Sequence, residues 1–236
     1  MRLDKYICEC TQLTRSLATR ALKNKLVSVN KQVTKSGSTK IEVGIDEVLL
    51  EGQALVLYPG FRYYMMHKPE GMVCANTDHD HPIIFDLLYD EPAIHKLHTV
   101  GRLDLDTTGL LLITDDGKWS HFITSPKHHK PKTYRVWLAE ELIDDAEQQF
   151  ENGIQLRGEQ ELTQPAALER ISSTEVLVTL HEGKYHQVKR MFAALGNHVE
   201  GLHRERIGDV ALDEDLGEGE YRELTPEEVS SLAQPS

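Results

Sequence analysis

Long apolar runs are missing from this 236-residue chain, and with them any expected span of a bilayer. The opening residues, Met1-Arg2-Leu3-Asp4-Lys5-Tyr6, form no apolar signal core, so export through a signal peptide is not expected. Cysteine is scarce. Cys8, Cys10 and Cys74 are an odd set, and Cys8 and Cys10 stand too close for a usual zinc pair, which favours reduced thiols in the cytoplasm over disulfides or a metal. No glycine-rich phosphate loop and no Gly-x-Gly-x-x-Gly occurs, so nucleotide-dependent chemistry is not expected. Histidines are present in Asp78-His79-Asp80-His81, but that stretch runs into Pro82 without a helical i, i+4 pair and reads as a polar loop. Repeats and low-complexity stretches are absent too. What is left is an ordinary globular composition, 39% hydrophobic and 27% charged, long enough for one large domain or a small one beside a medium one.

Net positive charge is also lacking, with a formal balance of -12, yet the first 40 residues reverse the sign. Arg2, Lys5, Arg15, Arg20, Lys23, Lys25, Lys31, Lys35 and Lys40 face only Asp4 and Glu9, a local +7 that leaves -19 on the remainder. A cationic head on an acidic body suits a nucleic-acid grip, and on charge alone a solvated basic face is an equal reading. Leu3, Tyr6 and Ile7 give one apolar helix face, and Thr14 is placed to cap a helix from Arg15 to about Lys23 that can aim Arg15, Arg20 and Lys23 at one surface. Val27–Val29 and Gln32–Val33 flank an Asn30-Lys31 turn, strand-like runs follow at Glu47–Leu50 and Ala54–Leu57, and Pro59-Gly60 marks a boundary. This helix–turn–helix, basic and strand-bearing segment, residues 1–58, resembles the S4 RNA-binding module, which implies RNA contacts from Arg2, Lys5, Arg15, Arg20 and Lys23.

Residues 59–236 read as a second domain of mixed helix and strand, making the whole α+β. Strands are expected at Tyr63–His67, Leu110–Thr114, Thr133–Leu138 and Glu175–Leu180. Helices are expected at Glu140–Phe150 and His186–Leu195, the latter stopped by Gly196, and a short last one after Thr225, opened by Pro226 and two acids.

The window most charged with chemistry is Gly101-Arg102-Leu103-Asp104-Leu105-Asp106-Thr107-Thr108-Gly109, set directly before the apolar run Leu110–Ile113. Polar groups collected at a strand end and backed by a core are a common way to present a reactive side chain. A calcium loop would put Asp104, Asp106 and Thr108 at its first, third and fifth positions and Gly109 at the sixth, the turn position, but lacks the glutamate at its twelfth, where Asp115 stands. A glycosidase pair of Asp104 and Asp106 is disfavoured because neighbours at i and i+2 rarely flank one bond. Asp115-Asp116-Gly117 reads as a turn signal and nothing more.

Gly101-Arg102-Leu103-Asp104-x-x-Thr107-x-Gly109-Leu110-Leu111-x-x-Thr114 resembles the catalytic-loop motif of the pseudouridine synthases that carry an N-terminal S4 module. The resemblance extends over nearly the whole chain and makes Asp104 the essential carboxylate, with Asp106 at a position the motif leaves free. Lys132-Thr133-Tyr134 matches a second family element, whose tyrosine lies against the target base. Glu182-Gly183-Lys184-Tyr185-His186-Gln187-Val188-Lys189-Arg190-Met191 matches a third, whose basic residue pairs with the aspartate, a role carried to Lys189 with Arg190 next. Ser125-Pro126-x-His128-His129 and His203-Arg204-Glu205-Arg206-Ile207-Gly208 are similar to the branch acting on uridine 516 of 16S ribosomal RNA. The implied reaction isomerises uridine without a cofactor, on 16S RNA or a small-subunit assembly intermediate. The chain is expected to act as a monomer away from membranes.

Residue chemistry is compatible with that implication. The N1–C1′ bond must break and a C5–C1′ bond form, which asks for a charged carboxylate beside the ribose. Enclosure under RNA favours the neutral acid, and a cation within about 4–6 Å restores the charge, a task for Lys189. Helix-surface charge is the plain alternative for Lys189 and Arg190, core packing for Tyr134, and a structural amide for Gln187, which otherwise bonds the uracil edge or the backbone. Arg102 can pair with phosphate or carboxylate. Lys127, Lys130, Lys132, Lys184, Arg204 and Arg206 together suggest a track for the RNA backbone. A non-catalytic RNA-binding assembly factor would be expected to lose Asp104, and a glycoside hydrolase would release free uracil or sugar.

Overall fold

Residues 1–57, 60–128 and 130–234 are described by the structure, a computed structural model, so the expected boundary at Pro59 and the motif residue His129 lie outside the described residues. The chain divides into two compact units, Met1–Phe61 with Leu88–Leu97, and Arg62–Leu87 with His98–Ser236.

In the first unit, helices α1 (Leu3–Cys10) and α2 (Arg15–Lys23) precede strands β1 (Val27–Val29), β2 (Gln32–Val33), β3 (Val48–Leu50) and β4 (Gln53–Ala54). The strands form an antiparallel sheet in the order β2-β1-β3-β4. The Thr14 hydroxyl accepts from the Leu17 N–H, so α2 starts where expected. Asn30 and Lys31 both take positive φ, the geometry a two-residue hairpin demands. Leu3, Tyr6, Ile7, Ala18, Leu22, Val27 and Val48 form the core, while Arg15, Arg20 and Lys23 stay exposed on α2. The last strand is shorter than expected and stops at Ala54.

The second unit is built on a mixed sheet in the order β13-β5-β7-β11-β8-β10-β9. Its strands are β5 (Tyr63–Lys68), β6 (His98–Thr99), β7 (Thr107–Thr114), β8 (Lys132–Leu138), β9 (Ala167–Arg170), β10 (Glu175–Leu180), β11 (Val199–Ile207), β12 (Val210–Ala211) and β13 (Tyr221–Glu223). β7 and β11 run parallel, and the remaining pairs are antiparallel. Helices α3 (Gly117–Thr124) and α6 (Pro226–Leu232) bring Trp119 and Leu232 into one cluster with Met65, Leu110 and Leu112. Helices α4 (Ala146–Asn152) and α5 (Gln187–Ala194) bring Phe150 and Phe192 against Val136, Val176 and Val178. Each fully buried phenylalanine contributes roughly 1.5–3 kcal/mol of transfer free energy. Among the described residues no helix is long and apolar enough to cross a membrane.

Three expectations need correction. The helix expected at Glu140–Phe150 begins only at Ala146, because the N–H groups of Ala139 and Leu142 are taken by the carbonyls of His198 and Ser173. Asp115 and Asp116 do more than turn the chain. Asp116 caps α3 by accepting from the Lys118 and Trp119 N–H groups, and Asp115 pairs with the buried Arg62 at 2.8 Å. Finally, Arg204 is buried within β11, a strand between β7 and β8, so of the two track residues expected there only Arg206 stays exposed.

Candidate active site

The loop before β7 is fastened from below. Lys68 ends β5 with no exposed surface, and its ammonium donates to the carbonyls of Pro69 at 2.9 Å, Thr107 at 2.8 Å and Leu105 at 3.4 Å. Burial pushes its pKa down, against the pull of Cys74, Asp106 and Asp104. The Leu105 carbonyl also accepts from the Gly71 N–H, and the Leu103 N–H points to the Cys74 sulfur at 3.4 Å. A turn from Asp104 to Thr107 closes on a 3.1 Å hydrogen bond, leaving both carboxylates free to face outward. Gly109 follows at φ +103°, where a Cβ would fall 2.3 Å from the Arg204 carbonyl oxygen. Only glycine lets β7 lie this close to β11.

Across from the loop stands the start of α5. The Lys189 ammonium lies 3.7 Å from Asp104 Oδ2 and 2.5 Å from Asp106 Oδ1, so the expected partner arrives but is shared, with Asp106 the nearer acid. Burial alone would raise the Asp106 pKa; the Lys189 hydrogen bond and charge outweigh it and bring the net shift downward. His186 places Nε2 3.4 Å from Asp104 Oδ1, from a left-handed backbone position (φ 47°, ψ 39°) at the N-cap of α5. Asp104 itself keeps a third of its side chain exposed.

Asp104 stands in the wall of a cleft of about 340 Å³, lined also by Arg102, Thr107, Lys132, Tyr134, His186 and Arg204. Tyr134 on β8 and Arg204 on β11 are register partners, and Arg204 Cζ lies 5.9 Å from the Tyr134 ring centre. Arg204 is only 2% exposed: Nε donates to the Leu110 carbonyl at 2.8 Å, Nη1 approaches the Tyr134 hydroxyl at 3.5 Å, and buried Nη2 has no hydrogen-bond partner among the described residues. Thr107 Oγ1, in the same wall, is likewise buried and unpartnered. Buried donors without partners are uncommon and costly, which marks this wall as built for something polar. Beside them, burial first and the Arg204 charge second push the Lys132 ammonium down to about 8.

The remaining expected residues separate. Arg102 is exposed at the cleft. Arg190 turns from Asp104 to Glu159, at 3.0 Å, and to the carbonyls of Tyr185 and Arg157. Gln187 lines the cleft, but its amide is spent within its own loop, donating to Glu182 and accepting from the Lys184 N–H. A continuous cationic track does not form, since Lys130 is buried with its ammonium toward the Ser231 carbonyl and Lys184 faces Glu159. In the first unit Arg2 is held by Asp4 at 2.6 Å, and Lys5 is exposed. Asp78 accepts from the N–H groups of Asp80 and His81, a local turn. Among the described residues no group of three or more His, Cys, Asp or Glu is arranged to hold a metal. Sequence reasoning missed Lys68, His186 and the part of Asp106; the Lys68-Pro69 pair ending an apolar strand was the available signal for the first.

Comparison with known proteins fits this geometry. The profile of the RNA pseudouridylate synthase family matches residues 62–194. Over 232 residues the chain is 59% identical to ribosomal small subunit pseudouridine synthase A of Vibrio cholerae, covering 98% of this chain and 99% of that one. The protein of the same name from Escherichia coli is 50% identical over 232 residues, covering 98% and 100%. A crystal structure of a pseudouridylate synthase superposes with a TM-score of 0.71 at 52% identity, over 98% of this chain and 99% of that chain. An aspartate beside a lysine and a histidine at a tyrosine-walled cleft therefore sits within a chain that belongs to the RNA pseudouridylate synthase family.

Proposed function

We propose that this chain isomerises a uridine of small-subunit ribosomal RNA to pseudouridine, with uridine 516 of the 16S RNA as the target and naked RNA or an assembly intermediate as the substrate. The observation that carries this reading is Asp104 in the cleft wall, with Lys189 at 3.7 Å and His186 at 3.4 Å. The target base leaves its stack and enters the cleft against Tyr134, the unstacking costing a few kcal/mol. Asp104, with Lys189 and His186 beside it, acts on the ribose or on C6 as the N1–C1′ bond breaks. The detached uracil carries negative charge on its ring oxygens, and the cleft-lining residues Arg204, Thr107 and Lys132 are the proposed donors to it. After the ring turns, C5 bonds to C1′ and gives up its proton, and N1 gains one, so no co-reactant is consumed.

The first unit supplies the S4-like grip. Its support is the exposed row Arg15, Arg20 and Lys23 on α2, facing solvent opposite the buried Ala18, Ala21 and Leu22. Arg2 and Lys5 extend that basic surface, the chain works as a monomer, and Arg102 at the cleft takes a phosphate.

The test has two arms. Pseudouridine mapping of 16S RNA from cells lacking the protein should show one lost site, restored by the wild-type chain and not by Asp104→Asn. Purified Asp104→Asn should form no pseudouridine while binding RNA within about threefold of wild type, a difference of under ~1 kcal/mol. Normal turnover by that variant, or loss at a different RNA, would overturn the assignment.

A further inference from the structure

Tyr185 is the most solvent-open aromatic near the site, 72% exposed, and the proposed chemistry leaves it unused. It is not a loose side chain. Its ring stacks on His186 with centroids 3.8 Å apart and planes 19° from parallel. His186 in turn approaches Asp104 at 3.4 Å and forms part of the cleft wall, whereas Tyr185 stands outside that wall. One face of the tyrosine is covered by the histidine and the other is open.

The loop presenting this pair is stapled. Gln187 bridges Glu182 and the Lys184 N–H, Arg190 donates to the Tyr185 carbonyl at 3.1 Å, and His186 is held at a left-handed backbone position. Such strain persists where the surroundings fix it. A rigid, exposed π-face at the lip of a cleft is poorly suited to water and well suited to another flat ring. In an enzyme that draws one nucleotide out of a stack, the ring at hand is the neighbouring base, which has just lost its own partner.

We infer that Tyr185, backed by His186, is a stacking platform for the nucleobase adjacent to the target uridine, filling the place that the extruded base vacates. This rests on the proposed RNA substrate and adds a second base-binding subsite beside the catalytic cleft. The platform recognises ring area and not a hydrogen-bonding edge, so it tolerates any base.

The experiment uses the full chain and a synthetic RNA hairpin spanning the mapped target, with 2-aminopurine placed immediately 5′ or 3′ of the uridine, and a control label several nucleotides away. Wild type should quench one adjacent label on binding and leave the control label unchanged. Tyr185→Ala should lose that quench and raise KM roughly 5- to 150-fold, with kcat nearly constant. Tyr185→Phe and Tyr185→Trp should restore both readouts, which a loss of fold would not allow. Unchanged KM and quench in Tyr185→Ala, on RNA that wild type converts, would overturn the platform while leaving the proposed reaction intact. A defect seen only on protein-containing subunit particles would also overturn it, assigning the ring to a protein contact. A wild-type chain inactive on every RNA would sink both proposals.

Discussion

Replacing Lys189 by methionine tests the electrostatics of the site most directly, because the lysine lies 3.7 Å from one acid and 2.5 Å from the other. Opposite unit charges about 4 Å apart attract by ~1 kcal/mol in water and by ~4 kcal/mol at an effective dielectric near 20. With Asp104 one-third exposed, the smaller figure applies to the free protein. Should the proposed RNA substrate close over the cleft and remove water, the interaction moves toward the larger. Lys189→Met should therefore lower kcat by roughly 5- to 1000-fold while affecting KM far less. Asp106→Asn should do the opposite: freed from its nearer partner, Lys189 can settle on Asp104, and kcat should hold or rise. Single-turnover release of tritium from 5-tritiated uridine in the target RNA, followed across pH, reads the chemical step. Lys189→Met matching wild type within about twofold at every pH, under ~0.5 kcal/mol, would refute the argument, as would a severe loss in Asp106→Asn.

Gly109→Ala should destabilise the fold by about 3 kcal/mol or more, because its Cβ would meet the Arg204 carbonyl at 2.3 Å with φ at +103°; an unchanged melting temperature would contradict this. Lys132, pushed from 10.5 down to about 8, releases its proton in the folded chain before the unfolded one. Its burial penalty is thus full below pH 8 and relieved between 8 and 10.5, where the unfolded state binds the extra proton, so any stability advantage of Lys132→Met should shrink as pH rises through that window in denaturant titrations. For the same reason wild-type kcat/KM should decline above about pH 8 if Lys132 must be cationic, and Lys132→Arg should keep its activity there. Neutralising Arg15, Arg20 and Lys23 together should lower the slope of log affinity against log salt by up to about 2–3, measured by filter binding, and an unchanged slope would place the grip elsewhere.

Local signals carried much of the fold. Thr14 before α2, the Asn30-Lys31 turn, Gly196 after α5 and Thr225 before α6 each act within a few residues, and each is where the chain reads it. β11 escaped because register shifts between Val199 and Gly201 and between Arg204 and Arg206 break its alternation, while the run from His203 to Arg206 hides it among polar residues. Leu142, Ala146 and Phe150 keep a helical spacing, yet distant carbonyls claim the backbone of the first. At the site, Asp104 and Lys189 were legible as motif positions. Their sharing with Asp106 and His186 was not, since it depends on how one turn and one helix end meet across 83 residues of chain. Arg204 was legible as a cation but not as a buried one, because burial belongs to the strands on either side of it.

The sealed ammonium of Lys68 has a consequence for how the turn before β7 is held. Carbonyl dipoles satisfy it, so it shapes the aspartate-bearing segment without consuming a carboxylate. With no exposed surface, it is closed to solvent. The turn that carries Asp104 and Asp106 is therefore anchored from within the protein, and its two carboxylates stay available to Lys189.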